Sequence, residues 1–161
     1  MEWSDIALTV GAVVGFIALT VGTAVFVAAE FSLTALERST IADDVATRGD
    51  LRSRQVERAH RTLSFQLSGA QLGITITTLI TGYLAEPVLA QFIEPALSGL
   101  GVPPGWHGGL TAALALTLAT SLSMVLGELI PKNLAIAEPL SVARLTAAPM
   151  VAFSALFGWA I

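Results

Sequence analysis

Gly127-Glu128-Leu129-Ile130-Pro131-Lys132-Asn133 closes a run from Gly108 to Gly127 that carries no charged residue. A helix over that run is long enough to cross a hydrocarbon core of roughly 30 Å, with Glu128 at or just inside its boundary. Pro131 has no N–H, and its ring collides with the carbonyl four residues earlier, that of Gly127. The spacing therefore predicts an unpaired, outward-turned carbonyl beside a carboxylate, a pair of oxygens suited to a hard cation. The same seven residues also read as a plain helix end at the membrane surface. Glu128 and Lys132 would then form an i, i+4 ion pair and Pro131 would act as a stop.

The 161 residues are 54% hydrophobic and 12% charged, with a mean hydropathy of +0.75. Soluble domains carry about 25% charged residues, so the composition is that of an integral membrane protein. Charge-free runs over Ile6–Ala29, Thr62–Ala85 and Gly108–Gly127 each match the length of a span. The first run follows acidic Glu2 and Asp5 and lacks a basic leader, so it reads as retained in the mature chain. There is no cysteine, which excludes disulfides, thiolate metal sites and cysteine nucleophiles. A net charge of −4 carries no nucleic-acid signal.

Arg38, Arg48, Arg52, Arg54, Arg58 and Arg61 lie between the first and second runs, and Lys132 and Arg144 follow the third. Glu86–His107 holds no Lys or Arg. The positive-inside rule then puts the amino terminus outside and both the arginine-rich segment and the region after the third span in the cytoplasm. Residues Glu37–Arg61 read as two short amphipathic helices broken at Gly49-Asp50, with apolar Ile41, Val45, Leu51 and Val56. Their arginines are orientation charges on a solvated face, or contacts for anionic headgroups.

Polar residues mark the inward faces. In the first span Thr20, Thr23, Val27, Glu30 and Thr34 recur at helical spacing, so Glu30 faces protein, or else sits at the interface and pairs with Arg38. In the second span Ser64, Ser68, Gln71, Thr75, Thr78 and Gly82 fall on one face. Small hydroxyls there serve as packing glue. The Gln71 amide oxygen can bind a hard cation or a neighbouring helix, and Gly69 leaves backbone open beside it. The third span has two rows, Thr117 with Ser121 leading to Glu128, and Thr120 with Ser123 leading to Gly127. Glu86-Pro87 is expected to end the second span, followed by a short interfacial helix and a loop over Gly99–Gly109. Glu138-Pro139 starts a last helix, read as a belt along the inner face over about 138–161 rather than a fourth crossing.

Three of these stretches, Ala28-Ala29-Glu30-Phe31-Ser32-Leu33, Gly69-Ala70-Gln71-Leu72-Gly73-Ile74-Thr75 and Gly127-Glu128-Leu129-Ile130-Pro131-Lys132, resemble in order and spacing the transmembrane domain of the CNNM/CorC (HlyC/CorC) family. The resemblance implies an all-α integral membrane domain: three transmembrane helices over about 6–33, 62–85 and 108–130, a cytoplasmic-side juxtamembrane belt helix, and a homodimer. It further implies paired CBS domains beyond Ile161, with nucleotide binding only through them. Location in the plasma (inner) membrane and magnesium efflux driven by sodium entry are also implied, so Mg2+ is the cargo and Na+ its counter-ion. Carried over by position, Glu128 and the Gly127 carbonyl match the third-helix motif. Ser68, Gly69 and Gln71 match the second, Glu30 and Ser32 the first, and Ser123 joins them as a hydroxyl of the third span. Many members have a serine where this chain has Ala29, and asparagine where it has Ala70-Gln71; the Gln-containing form resembles a bacterial branch.

The opposing functional class is a non-transporting membrane scaffold or regulatory protein, whose polar faces only hold helices together while cytoplasmic domains bind a partner. An intramembrane enzyme is not expected. The chain has no His-Glu-x-x-His, no Gly-x-Ser-x-Gly and no histidine inside a span to act as base.

Overall fold

A computed structural model describes the backbone of residues 3–161, and the side chains from residue 7 onward except that of Glu86. Glu2 and the side chains of Asp5 and Glu86, which entered the reading of the span ends, lie outside the described residues. The described residues form helices: α1 (Trp3–Ala35), α2 (Arg38–Thr47), α3 (Leu51–Arg61), α4 (Leu63–Gly99), α5 (Pro104–Ser123), a π-helical segment (Met124–Leu129), α6 (Ile130–Ala137) and α7 (Pro139–Leu156). Four helical stretches are long and apolar enough to cross a membrane: 7–35, 63–99, 104–137 and 139–156. Large apolar side chains such as Leu8, Val14, Leu79 and Leu116 remain exposed along them, as expected of surfaces that meet lipid.

The hairpin of short helices forms where the sequence places it. Gly49 takes a φ of +58° between α2 and α3, a backbone conformation costly for residues with a Cβ. Asp50 then caps α3, accepting from the Ser53 N–H and Oγ, each at 2.8 Å. Of the four apolar residues expected on this hairpin, Ile41 and Val56 are buried, but Leu51 is exposed.

Two boundaries differ from the sequence reading. Pro87 and Pro95 lie inside α4, which runs unbroken for 37 residues, about 55 Å. Each proline removes one N–H, but apolar helices tolerate this because neighbouring groups and small local adjustments satisfy the freed carbonyl. The loop expected over Gly99–Gly109 shrinks to residues 100–103. Pro104 stands in the first turn of α5, where its missing N–H costs nothing, and Trp106 and His107 are helical. His107 Nε2 lies 2.7 Å from the Val102 carbonyl and ties that turn to the loop.

The helices converge at the end of α1. Leu33 and Leu36 join Ile41, Val56, Ala59, Ala143 and Ala147 in one buried cluster, so α1, the hairpin and α7 share a core. A buried charge group locks this junction. The Arg144 guanidinium donates to Asp44 Oδ2 at 2.6 Å, to Ser53 Oγ at 2.6 Å and to Asp50 Oδ2. The side chains of Asp44 and Arg144 are 3% and 11% exposed. The Ser53 backbone N–H, and with it the Arg144 guanidinium, holds the Asp50 carboxyl well below the usual carboxylate range. Arg144, which the sequence presents only as an orientation charge, is thus the pin between hairpin and α7.

α7 also lies across α1 and α4. Ala29, Ala70 and Met150 form a buried cluster flanked by Phe26 and Phe153, and Ser154 donates to Gln66 at 2.9 Å in the same buried seam. A helix with exposed Leu145 and Leu156 at its edges and small or polar residues beneath is thereby fixed to two others.

Candidate functional site

The site is built around the widened turn. In the π-helical segment the N–H of Ile130 reaches back five residues to the Val125 carbonyl. Pro131 explains the change of register: without an N–H it supplies neither the α-type partner of the Gly127 carbonyl nor the π-type partner of the Leu126 carbonyl. At Gly127 and Glu128, where the sequence predicts an outward-turned carbonyl, the backbone departs from regular winding by an extra residue in the turn. Gly127 is buried, and a Cβ built on it would stand 3.5 Å from Thr23 Cβ and 3.7 Å from the Thr20 carbonyl. The turn therefore leans on α1 at its polar stripe. Thr23 is anchored there, donating to the Leu19 carbonyl at 3.1 Å and standing 2.7 Å from Thr77 Oγ1 of α4.

The extra residue decides which way Glu128 points. At about 100° per residue, the eight steps from Thr120 to Glu128 would leave them some 80° apart around a regular helix; absorbing one residue brings them to within about 20°. Accordingly Glu128 shares a cleft of about 190 Å³ with Thr120 and Ser123 of its own strand of helix and with Thr78, Thr81 and Gly82 of α4; Leu116, Ala119 and Met124 complete the wall. Thr117 and Ser121, the row that regular periodicity joins to Glu128, are absent from the lining and donate instead to the Ala113 and Thr117 carbonyls. Thr78 and Thr120, on the inward rows but not among the residues expected to hold an ion, belong to the cleft, as does Thr81, which lies on none of those rows.

Glu128 is exposed to the cleft and, among the described residues, has no ion pair. The i, i+4 bridge to Lys132 is not formed, because Lys132 Nζ sits 4.3 Å above the Phe31 ring of α1, a cation–π contact. The cleft thus offers one uncompensated carboxylate and several hydroxyl oxygens. A hydroxyl that donates to a carbonyl, as Thr81 does to Thr77 at 2.7 Å, keeps lone pairs for a cation.

Glu30 and Gln71 form a second group. Gln71 Nε2 donates to Glu30 Oε1 at 3.5 Å, a long bond joining α1 to α4. Glu30 makes no ion pair with Arg38. Neither Glu30 nor Gln71 lines the Glu128 cleft.

The other expected residues, Gly69, Ser32 and Ser68, lie outside the Glu128 cleft. A Cβ on Gly69 would lie 2.5 Å from Ser154 Oγ and 3.0 Å from Met150 Cε, so Gly69 opens its backbone to α7. Ser32 is wholly buried and donates to the Ala29 carbonyl at 3.2 Å. Ser68 is exposed and lies outside the cleft lining. Ala29 and Ala70 share one apolar cluster under α7, while Gln71 turns to Glu30. No three His, Asp or Glu side chains gather as a metal-holding group among the described residues, so a cation here would rest on one carboxylate with neutral oxygens.

These features define a multi-pass, all-helical membrane protein with polar groups gathered between its helices. Residues 14–161 match the family model described as the Cyclin M transmembrane N-terminal domain, CNNM. The chain is 55% identical over 153 residues to a UPF0053 protein of Mycobacterium tuberculosis, covering 95% of this chain and 33% of that protein. It is 37% identical over 131 residues to the UPF0053 protein YugS of Bacillus subtilis, covering 81% of this chain and 30% of that one. The chain belongs to the CNNM transmembrane family, and it spans about a third of the length of the curated relatives it matches.

Proposed function

We propose that this domain carries a divalent cation, magnesium foremost, out of the cytoplasm, with sodium entry as the driving force. The observation that carries the reading is Glu128: a carboxylate without a cationic partner, turned by the π-helical segment into a hydroxyl-lined cleft between helices. An ionisable group in such a position is expensive unless it has work to do. Magnesium takes six oxygens at about 2.0–2.1 Å and sheds water reluctantly. Glu128, the hydroxyls of Ser123, Thr120 and Thr78, and retained water supply that shell. Glu30 and Gln71 form a separate station, where an arriving ion competes with the long amide–carboxylate bond. In this reading α1, α4 and the α5–α6 stretch cross the plasma (inner) membrane, α7 is the belt on the cytoplasmic side, the amino terminus is outside and the functional unit is a homodimer.

Calorimetric titration of the purified protein with Mg2+, with and without Na+, tests the reading on the parent, on Glu128→Ala and on Gln71→Ala. Binding that sodium weakens and Glu128→Ala abolishes is the expected result. A folded parent that binds no Mg2+ at millimolar concentration, or binding indifferent to Glu128→Ala, overturns it. Variants that loosen assembly without altering ion binding favour the scaffold.

A further inference from the structure

We propose that the α2–α3 hairpin and the foot of α4 form a groove for a phosphate-bearing anion, occupied by the headgroup of an anionic phospholipid. Two adjoining lobes, of about 300 and 520 Å³, share Arg38, His60 and Arg61 in their walls. The groove lies apart from the Glu128 cleft and shares no residue with it.

Its charge is not spent internally. Among the described residues Arg48, Arg61 and Arg144 each pair with a carboxylate, whereas Arg38 has no ion pair or hydrogen bond through its side chain. Glu57, which holds Arg61 at 2.6 Å, is the one acid in the lining. Two guanidiniums against one carboxylate leave the groove positive. Arg38 also opens α2, whose cap residue Glu37 accepts from Ser39 Oγ at 3.4 Å and from no backbone N–H of the first turn.

The second lobe identifies the source of the phosphate. It continues past Arg61 to Leu63 and Phe65, at the start of the apolar α4, and Phe65 is 38% exposed. A soluble phosphate uses only the arginine end. A phospholipid uses both, with its phosphodiester between Arg38 and Arg61 and its glycerol and upper acyl carbons against Phe65.

Native mass spectrometry of the full chain in detergent, titrated with phosphatidylglycerol, phosphatidylcholine or inorganic pyrophosphate, tests this. The Arg38→Gln/Arg61→Gln double variant should weaken phosphatidylglycerol binding roughly 30-fold, as for two charges near a lipid surface. Arg52→Gln/Arg54→Gln, which removes equal charge from the same hairpin outside the groove, should leave it unchanged. Arg38→Gln alone removes a side chain with no bond within the fold and should cost roughly fivefold, which keeps the test open if the double variant misfolds. Phe65→Ala should weaken phosphatidylglycerol and spare pyrophosphate. Equal losses in the two double variants, or equal binding of phosphatidylcholine and phosphatidylglycerol, overturn the groove. Pyrophosphate that displaces phosphatidylglycerol at equal concentration, with no effect of Phe65→Ala, overturns the lipid assignment in favour of a soluble anion.

Discussion

Asp44 and Glu128 are both helical carboxylates, yet their surroundings are opposite. Asp44 is buried, bonded to Arg144 and within 3.5 Å of Arg48. Its charge is consumed in holding the hairpin to α7. Glu128 opens into a cleft with no cation opposite it, because the one nearby ammonium in the sequence, Lys132, is drawn onto Phe31. Where a fold surrounds an acid with donors, the acid serves the structure; where it withholds them, the acid stays available to a mobile ion. The comparison separates two roles that residue type alone does not.

The largest effect should come from breaking the first of these. Arg144→Ala leaves the buried Asp44 with only the longer contact to Arg48 and should cost about 3 kcal/mol, releasing the hairpin so that amide exchange over residues 38–61 rises. Glu128→Gln, its counterpart, should not destabilise, since it removes an unpaired charge and leaves no partner stranded. Comparable costs for the two variants would erase the distinction. A smaller effect is expected at Gly69, whose added methyl would meet Ser154 and Met150. Gly69→Ala should destabilise by about 1–2 kcal/mol through overpacking and loosen α7, read as faster proteolysis after Phe153. If instead it alters Mg2+ affinity with α7 still docked, Gly69 belongs to the ion site.

The mildest test is acid. The depressed pKa of Asp50 means that its contribution is fully present above the ordinary carboxylate value near 4 and is lost as pH falls through the lower folded-state value. Protection of the hairpin amides should therefore persist from pH 7 to about pH 4 and decline below that. Asp50→Asn should flatten that acid limb, and an unchanged limb would assign it to other carboxylates.

The helical class, the Gly49-Asp50 break and the start of α7 at Pro139 were legible because each rests on local chemistry: apolar runs, a positive-φ glycine, a proline in a first turn. The unbroken α4 was not, because whether Pro87 ends a helix depends on what surrounds the freed carbonyl. Sequence position puts Gly69 two residues before Gln71, beside the polar face, but its contact with Ser154, distant in the chain, follows only from the docking of α7. The same holds for Arg144, whose acids lie 100 and 94 residues away. At the cleft, Pro131 announced a disturbed backbone, but regular periodicity could not reveal that the disturbance would bring Thr120 and Ser123 into line with Glu128.

That widened turn makes the placement of Glu128 a matter of counting. The identities of Val125, Leu126 and Leu129 can vary while the number of residues stays fixed, and the acid still arrives at the cleft. Loss of a single codon between Met124 and Glu128 would remove the bulge and leave the acid seven regular steps from Thr120, in the same alignment, whereas an added codon would swing everything on one side of it by about 100° relative to the other. Within this tract, length is inherited information in its own right.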